Sequence, residues 1–426
     1  MAEPAPETLD GLTDDFGLFE PDIQLTEYES TPYRELSDTA LASLRTDVNR
    51  DGVERIKATF NAEGAVSLSA TQYVGVVALR DGPTIEIRPK AAGTHLLHLL
   101  RYAQGVTTTT IDQEVSLQAG NTFIDAIGYL FNAELTTILD RGLHSEYQRV
   151  NQAKKQLRGR LDVQRQLQQQ QRPVLAFECD YDELTTDTVV NRAILYATTV
   201  LLRLVRDTDL RQSLQRHQHL LRRQVTLTAV EPSALDRIEL TRLNDHYGDI
   251  IRLTKLVLQS HFVREFRGGS RESFSLLVDM NRIFERVVER AMRSAVRRRP
   301  GWTVDAQHSS TNLIDSDKHT VTIRPDILIR DDTGQVRCIG DAKWKLGSPN
   351  NSDFYQLASY QLAFDGPGLL LYPEQDGIVA SENTIAGGHP LHLVEMPTKH
   401  EGKSAGYDAY VAELEEHARK AFNRIC

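Results

Sequence analysis

The segment from Val321 to Trp344 constrains this chain more than any other, because it reads as two β-strands joined by a tight turn. Val321 to Arg330 and Val336 to Trp344 are apolar and β-branched, and Asp331, Asp332, Thr333 and Gly334 between them are turn residues. With Thr333 and Gly334 at the turn centre, antiparallel pairing sets Asp326 opposite Asp341. Side chains alternate across a sheet, so Asp341 and Lys343 share a face with Asp326, while Val321, Ile323, Ile327, Ile329, Cys338, Gly340, Ala342 and Trp344 take the other. A slip of one residue would bury the charges, so the apolar pattern and the carboxylate pairing demand the same register.

Two adjacent carboxylates repel unless a cation lies between them, and hard oxygen ligands that leave room for water suit Mg²⁺ or Mn²⁺. Lys343 beside such an ion is placed to orient or deprotonate a water, or to stabilise charge growing on a phosphate. That is the chemistry of phosphodiester hydrolysis. An edge hairpin with a solvated polar face explains the same spacing with no chemistry at all, so the flanking segments must decide.

Downstream, Asp353 to Phe364 has the period of an amphipathic helix that sets Gln356 and Tyr360 one turn apart, able to brace the lysine or reach a phosphate. Upstream, Asp279 to Met292 is a second helix, with Ile283, Phe284, Val287, Val288 and Ala291 as its buried stripe. Glu285 stands at the stripe's edge as a candidate third metal ligand. Taken singly, a glutamate among arginines is more often a surface ion pair, and Gln and Tyr at this spacing are more often half-exposed packing.

Taken together, the order is a helix with Glu285, a strand near Trp302 to Ser309, the hairpin, the helix with Gln356 and Tyr360, then a strand from Gly368 to Tyr372. This order resembles the PD-(D/E)XK restriction-endonuclease fold. Asp326, Asp341 and Lys343 match its signature, and Gln356 with Tyr360 matches the Q-x-x-x-Y helix of its RecB-like branch. Seven further segments are similar to those of the McrC family, in the same order: Gln72 to Val77, Thr84 to Lys90, Gly142 to Tyr147, Leu157 to Asp162, Cys179 to Glu183, Asp187 to Arg192 and Asp279 to Glu285. The resemblance runs from about residue 60 to the end and is loose between Leu201 and Arg237. It implies a metal-dependent endodeoxyribonuclease subunit of a modified-cytosine-directed restriction system. Such a subunit acts on double-stranded DNA with an McrB-like AAA+ GTPase hexamer, and GTP enters through that partner alone. The chain has no G-x-x-x-x-G-K-[ST] phosphate loop, in agreement. A RecB-like processing nuclease without a GTPase, and a non-catalytic adaptor, are the alternatives.

A formal net charge of −10 argues against a DNA-binding protein until its distribution is read. Residues 1 to 40 hold 11 Asp or Glu against the single Arg34, a net of −10, so the remaining 386 residues balance. Two basic stretches are candidate phosphate tracks: Arg149, Lys154, Lys155, Arg158, Arg160, Arg165 and Arg172, and the arginines of the helix from Arg286 to Arg299. Solvated helix faces look the same. Arg158, Arg160, Arg293 and Lys345 are the DNA contacts expected.

The three cysteines form no close pair, and His217 and His219 face apart on a helix, so neither a disulfide framework nor a zinc site is expected. No apolar run is long enough to cross a bilayer and the acidic N-terminus lacks a signal peptide's basic head, which predicts a cytoplasmic protein with no membrane partner. The architecture expected is a multidomain α+β chain. Residues 1–40 read as an acidic flexible tail, 41–115 as a β-rich domain, which the resemblance implies contacts the partner, and 116–269 as a helical middle interrupted by an irregular stretch at Arg172 to Leu184. Residues 270–426, beginning after the loop from Arg267 to Arg271, read as the α/β/α restriction-endonuclease-like domain.

Overall fold

The computed structural model describes residues 21–90, 94–106, 122–168, 176–242, 244–264, 273–306, 311–316, 318–375, 381–386, 388–398 and 406–425. Among them, those within Phe19–Leu130 and Ser260–Cys426 form one compact unit and those within Phe131–Gln259 another. No described helix is long and apolar enough to cross a membrane.

The chain enters through β1 (Ile23–Thr26) and α1 (Asp38–Ser43), then forms β2 (Ile56–Phe60), β3 (Val66–Ala70), β4 (Tyr73–Ala78), β5 (Thr84–Arg88) and α2 (Thr94–Gln104). Residues 21–40, expected to belong to the acidic tail, are instead built into the fold, and residues 1–20 lie outside the described residues. Strand β1 runs parallel to β5, with Ile23 beside Ile85 and Leu25 beside Ile87. The Thr31 amide donates to Leu68 O at 2.8 Å. Ile23 and Leu25 bury in the cluster that holds Leu68, Ile85 and Ile87, an alternation masked in the sequence by the surrounding acids. Ser37 caps α1 by accepting from the Ala40 amide at 3.1 Å.

After α3 (Phe123–Arg141) come β6 (Glu146–Lys154), β7 (Arg160–Leu161), α4 (Val163–Gln168), β8 (Phe177–Thr185), α5 (Val189–Leu204), α6 (Thr208–Arg222) and α7 (Gly248–Ser260). The middle is thus not helical throughout. Strands β6, β8 and β7 make an antiparallel sheet in that order, with Glu146 opposite Thr185 and Lys154 opposite Phe177. Its long strand is mostly exposed and its cross-strand partners are charged, as in Arg149 opposite Asp182, so no apolar period marks it. Arg172 lies outside the described residues. Within this unit the buried Asn191 donates to His144 O at 2.9 Å and Thr186 O at 2.7 Å, and Tyr247 donates to it at 3.1 Å.

Strands β9 (His261–Arg264) and β10 (Ser273–Asp279) return the chain to the first sheet, whose order is β1-β5-β4-β10-β9. Leu277 of β10 pairs with Gly75 of β4. Gly75 takes φ +142°, and a Cβ there would come within 1.9 Å of Leu276 O, so this contact demands glycine. The boundary expected at Arg267 to Arg271 lies outside the described residues, but the strand following it belongs to the same sheet as β4. The segments read as separate 41–115 and 270–426 domains share a core.

Asp279 caps α8 (Met280–Val296) by accepting from the Asn281 amide at 3.0 Å. There follow β11 (Thr303–Ala306), β12 (Thr311–Asp315), β13 (Thr320–Ile323), β14 (Ile327–Arg330), β15 (Val336–Ala342), α9 (Asn351–Phe364), β16 (Gly368–Pro373), β17 (Ser381–Thr384), β18 (Pro390–Met396) and α10 (Tyr407–Ile425). A six-stranded mixed sheet has the order β11-β14-β15-β16-β18-β17, with β15, β16 and β18 parallel. The run expected as one strand from Val321 to Arg330 is two. Strand β13 pairs with β12 in a separate ribbon, and Pro325, which has no N–H to donate, stands at the break. The hairpin is not at an edge either. Leu357 and Tyr360 of α9 close the face of Leu328, Ile339, Leu370 and Tyr372, so the face that the alternative reading left to solvent is largely covered.

Candidate active site

Asp331 builds the hairpin turn. Its Oδ1 accepts from the Thr333 amide, the Thr333 hydroxyl and the Gln335 amide at 2.9, 2.6 and 3.0 Å, and Arg337 donates to its Oδ2 at 2.6 Å. With the Thr333 hydroxyl bond foremost, these hold its pKa down at about 2. A one-residue shift next to the turn, between Ile329 and Arg330, is absorbed there as a bulge, while Ile329 opposite Cys338 and Ile327 opposite Gly340 keep the expected register. One step further, the Asp326 Oδ2 accepts from the Ala342 amide at 2.9 Å, which fixes it beside Asp341.

Asp341 is 1 % exposed. Burial pushes its pKa up to about 6; Lys343 opposes that shift and the Asp326 charge adds to it. Lys343 Nζ lies 2.7 Å from Asp341 Oδ2 and donates to Gln356 Oε1 at 2.9 Å. Burial disfavours the Lys343 charge, but Asp341 and then Asp326 outweigh it and hold the lysine above its ordinary pKa. Gln356 Nε2 in turn donates to Tyr360 OH at 2.7 Å. The structure therefore brings Asp326, Asp341, Lys343, Gln356 and Tyr360 into one connected set. The side-chain amide of Gln356 can point one way only, because its oxygen takes the lysine and its nitrogen the phenol.

Glu285 does not complete this set. Among the described residues, no three His, Cys, Asp or Glu side chains are gathered so as to hold a metal ion. The reason lies in the sheet: Phe284 packs on Trp344 with ring centroids 5.5 Å apart, and Trp344 alternates with Lys343, so α8 meets the hairpin on the face away from the lysine. Asp353 is the acid that sequence reasoning missed. It closes a capping box with the N-cap Asn350, it accepts from Tyr372 OH at 2.8 Å, and its charge adds to the upward shift of Asp341. The Asn350 to Asp353 spacing was the available signal.

The four expected DNA contacts each face a carboxylate. Arg158 donates to Glu183 at 3.0 Å, Arg160 acts on Asp180, Arg293 donates to Glu289 at 2.9 Å, and Lys345 pairs with Asp353. Arg158 and Arg160 belong to the unit of residues 131–259, and Arg293 and Lys345 to the other.

The family profile described as "McrBC 5-methylcytosine restriction system component" matches residues 68–373, a span that includes the whole hairpin and the helix with Gln356 and Tyr360. The chain belongs to this McrBC family. Among solved structures, it is similar to a chain of a half-complex from a tetradecameric assembly of Thermococcus gammatolerans McrB AAA+ hexamers with bound McrC. The identity is 19%, the TM-score 0.60, and the match covers 95% of this chain and 99% of that one, which shows the shared fold. A chain of the Thermococcus gammatolerans McrBC complex matches at 22% identity and TM-score 0.44, over 64% of this chain and 88% of that one. No curated protein matches. Family membership agrees with the resemblance drawn from the sequence.

Proposed function

We propose that this McrBC-family chain is the McrC-like, DNA-cutting subunit of a GTP-dependent, modified-cytosine-directed restriction system, with a PD-(D/E)XK site formed by Asp326, Asp341 and Lys343. The observation that carries the reading is the buried Asp341 carboxylate held between a lysine and a second aspartate. A buried carboxylate beside another is reluctant to ionise, and a structural core gains nothing from it. A site for a cation does.

The residues fit Mg²⁺ or Mn²⁺, since two carboxylates, with waters and phosphate oxygens filling the remaining positions, make up the donor set that Mg²⁺ favours. Asp326 and Asp341 are the residues that would hold such an ion, and it would supply Lewis acidity there. Lys343, charged and aimed by Gln356, stabilises negative charge on the scissile phosphate and orients the attacking water. Tyr360 fixes Gln356 and thereby the lysine. Alternation of the sheet keeps Trp344 on the opposite face, so apolar packing holds the backbone while the reactive groups stay together.

Double-stranded DNA is the substrate in this reading, and an McrB-like AAA+ GTPase hexamer is the partner that hydrolyses GTP. The similar assembly of McrB hexamers with bound McrC supports the partner. A non-catalytic adaptor would have no reason to keep a charged lysine against a buried aspartate. Purification of the tagged chain tests the proposal: a GTP-hydrolysing hexamer should accompany it, and the complex should cut DNA bearing 5-methylcytosine. A chain that recovers no GTPase and cuts unmodified DNA by itself would favour a RecB-like processing nuclease.

A further inference from the structure

Outside the catalytic set, a buried carboxylate from a distant strand is tied directly to Trp344, the residue after Lys343. Glu27, at the end of β1, is 2 % exposed and accepts from Trp344 Nε1 at 2.8 Å with one oxygen and from the Lys90 amide at 2.9 Å with the other. Its neighbour Tyr28 donates to Trp344 O at 3.2 Å. Tyr28 does so with φ 66°, a left-handed conformation that a tyrosine keeps only where the surroundings impose it. Lys90 Nζ lies 4.0 Å over the Tyr28 ring. The indole N–H and the carbonyl of Trp344 are thus taken by two consecutive residues, Glu27 and Tyr28.

Trp344 follows Lys343 at the point where the hairpin leaves its sheet. Beyond Ala342, the Lys343 amide still donates to Leu371 O at 2.8 Å, and the Lys345 amide turns back to Lys343 O at 3.0 Å. The adjacent side chains point to opposite faces, so the rotation that seats the indole on Phe284 is the rotation that aims Lys343 at Asp341 and Gln356. We propose that Glu27 is a positioning residue of the nuclease site, holding Trp344 and through it the backbone that presents Lys343.

This inference rests on the nuclease reading and adds pH control to it. Glu27 is held near neutrality, at about 7, chiefly by burial, against the lowering effects of the Lys90 and Trp344 hydrogen bonds and the Lys90 charge; the Asp279 charge raises it further. Lys90, Asp279 and Tyr28 are the charged or titratable groups that act on it or respond to it. Only the carboxylate offers both N–H donors a full acceptor, so protonation loosens one of the two ties. Cutting should therefore decline as pH falls through about 7.

The test uses the full chain with its GTPase partner, Mg²⁺ and plasmid DNA bearing 5-methylcytosine. Glu27→Ala should cut about tenfold to a hundredfold more slowly with DNA affinity and GTPase stimulation unchanged. Glu27→Gln, which can still accept from the indole, should recover much of the rate but lose the pH limb near 7. Trp344→Phe, which keeps an aromatic ring but removes the pyrrole N–H, should resemble Glu27→Ala. In a Trp302→Phe background, Trp344 is the sole tryptophan. Its emission should titrate near pH 7 with Glu27 present and stay flat with Glu27→Gln. Wild-type rates in Glu27→Ala, or an unchanged pH profile in Glu27→Gln, overturn the positioning role while a dead Asp341→Ala leaves the nuclease reading intact. If Asp341→Ala is indistinguishable from wild type, the nuclease reading itself fails, and this role falls with it.

Discussion

The Lys343 ammonium lies 2.7 Å from the Asp341 carboxylate, and of the two the aspartate is the more deeply buried, its side chain 1% exposed against 23% for the lysine. Removing either partner should abolish cutting, a loss of at least about a hundredfold. The stability costs should differ. Lys343→Ala leaves a buried carboxylate without its cation and should cost about 3 kcal/mol, whereas Asp341→Ala removes the group that burial penalises and should cost less. Urea unfolding of both variants alongside a cleavage assay checks this; retained cleavage in either would remove that residue from the site.

The raised pKa of Asp341 fixes the sign of a pH effect. Its folded value, about 6, lies above the ordinary 3.8, so the folded chain binds the proton more tightly and the contribution is fully present below about pH 4 and lost as pH rises through about 6. Asp341→Asn, which mimics the protonated form, should then raise stability at pH 8 in EDTA by about 2 kcal/mol and leave it unchanged near pH 4. Thermal melts at the two pH values decide, and equal shifts at both would show that ionisation is not the cause.

Tyr360→Phe should keep the fold of α9 but leave Gln356 Nε2 without the acceptor it has at 2.7 Å. A stability loss of about 1 kcal/mol is expected, with a cleavage loss near tenfold because the lysine is less well aimed. Full cleavage in Tyr360→Phe together with full cleavage in Gln356→Ala would mean that the pair only packs.

Cutting should require Mg²⁺ or Mn²⁺. Ca²⁺, whose longer bonds and looser geometry position water poorly, should support DNA binding without turnover. Cleavage assays with each ion, and with excess EDTA, test this; undiminished cutting in EDTA would contradict it.

A fragment beginning at Ser270 should not fold. It carries β10 without β4, its partner from Phe274 opposite Ala78 to Asp279 opposite Tyr73, and Trp344 without Glu27. Circular dichroism should show loss of cooperative unfolding. A deletion that instead removes residues 131–259 and rejoins the chain should retain it, since it leaves the larger unit whole.

The candidate site was legible because its information is local. Turn residues and strict alternation around Thr333 and Gly334 fix which carboxylates meet, and the structure keeps that register despite a bulge by the turn. What was hidden depends on distance or on charge. The β6 and β8 pairing carries arginines against acids instead of an apolar stripe, and β1 sits among carboxylates that make it look like a tail. Glu27 and Trp344 are 317 residues apart, so no window of sequence holds both. Glu285 was misplaced because helical period gives a residue's position around its own axis, not the face of the sheet on which that helix lands.

The pairing of β4 with β10 also has a consequence for how the chain is made. When a ribosome has released residues 73–78, the strand that will cover their open edge is still nearly two hundred positions from being translated. Until then β4 is a bare edge that can recruit the wrong strand, and closing so long a loop is slow. The hairpin with Asp341 emerges later still, after β10. Synthesis therefore closes the first sheet before it makes the hairpin, and a nascent chain halted short of Lys343 lacks part of the proposed site.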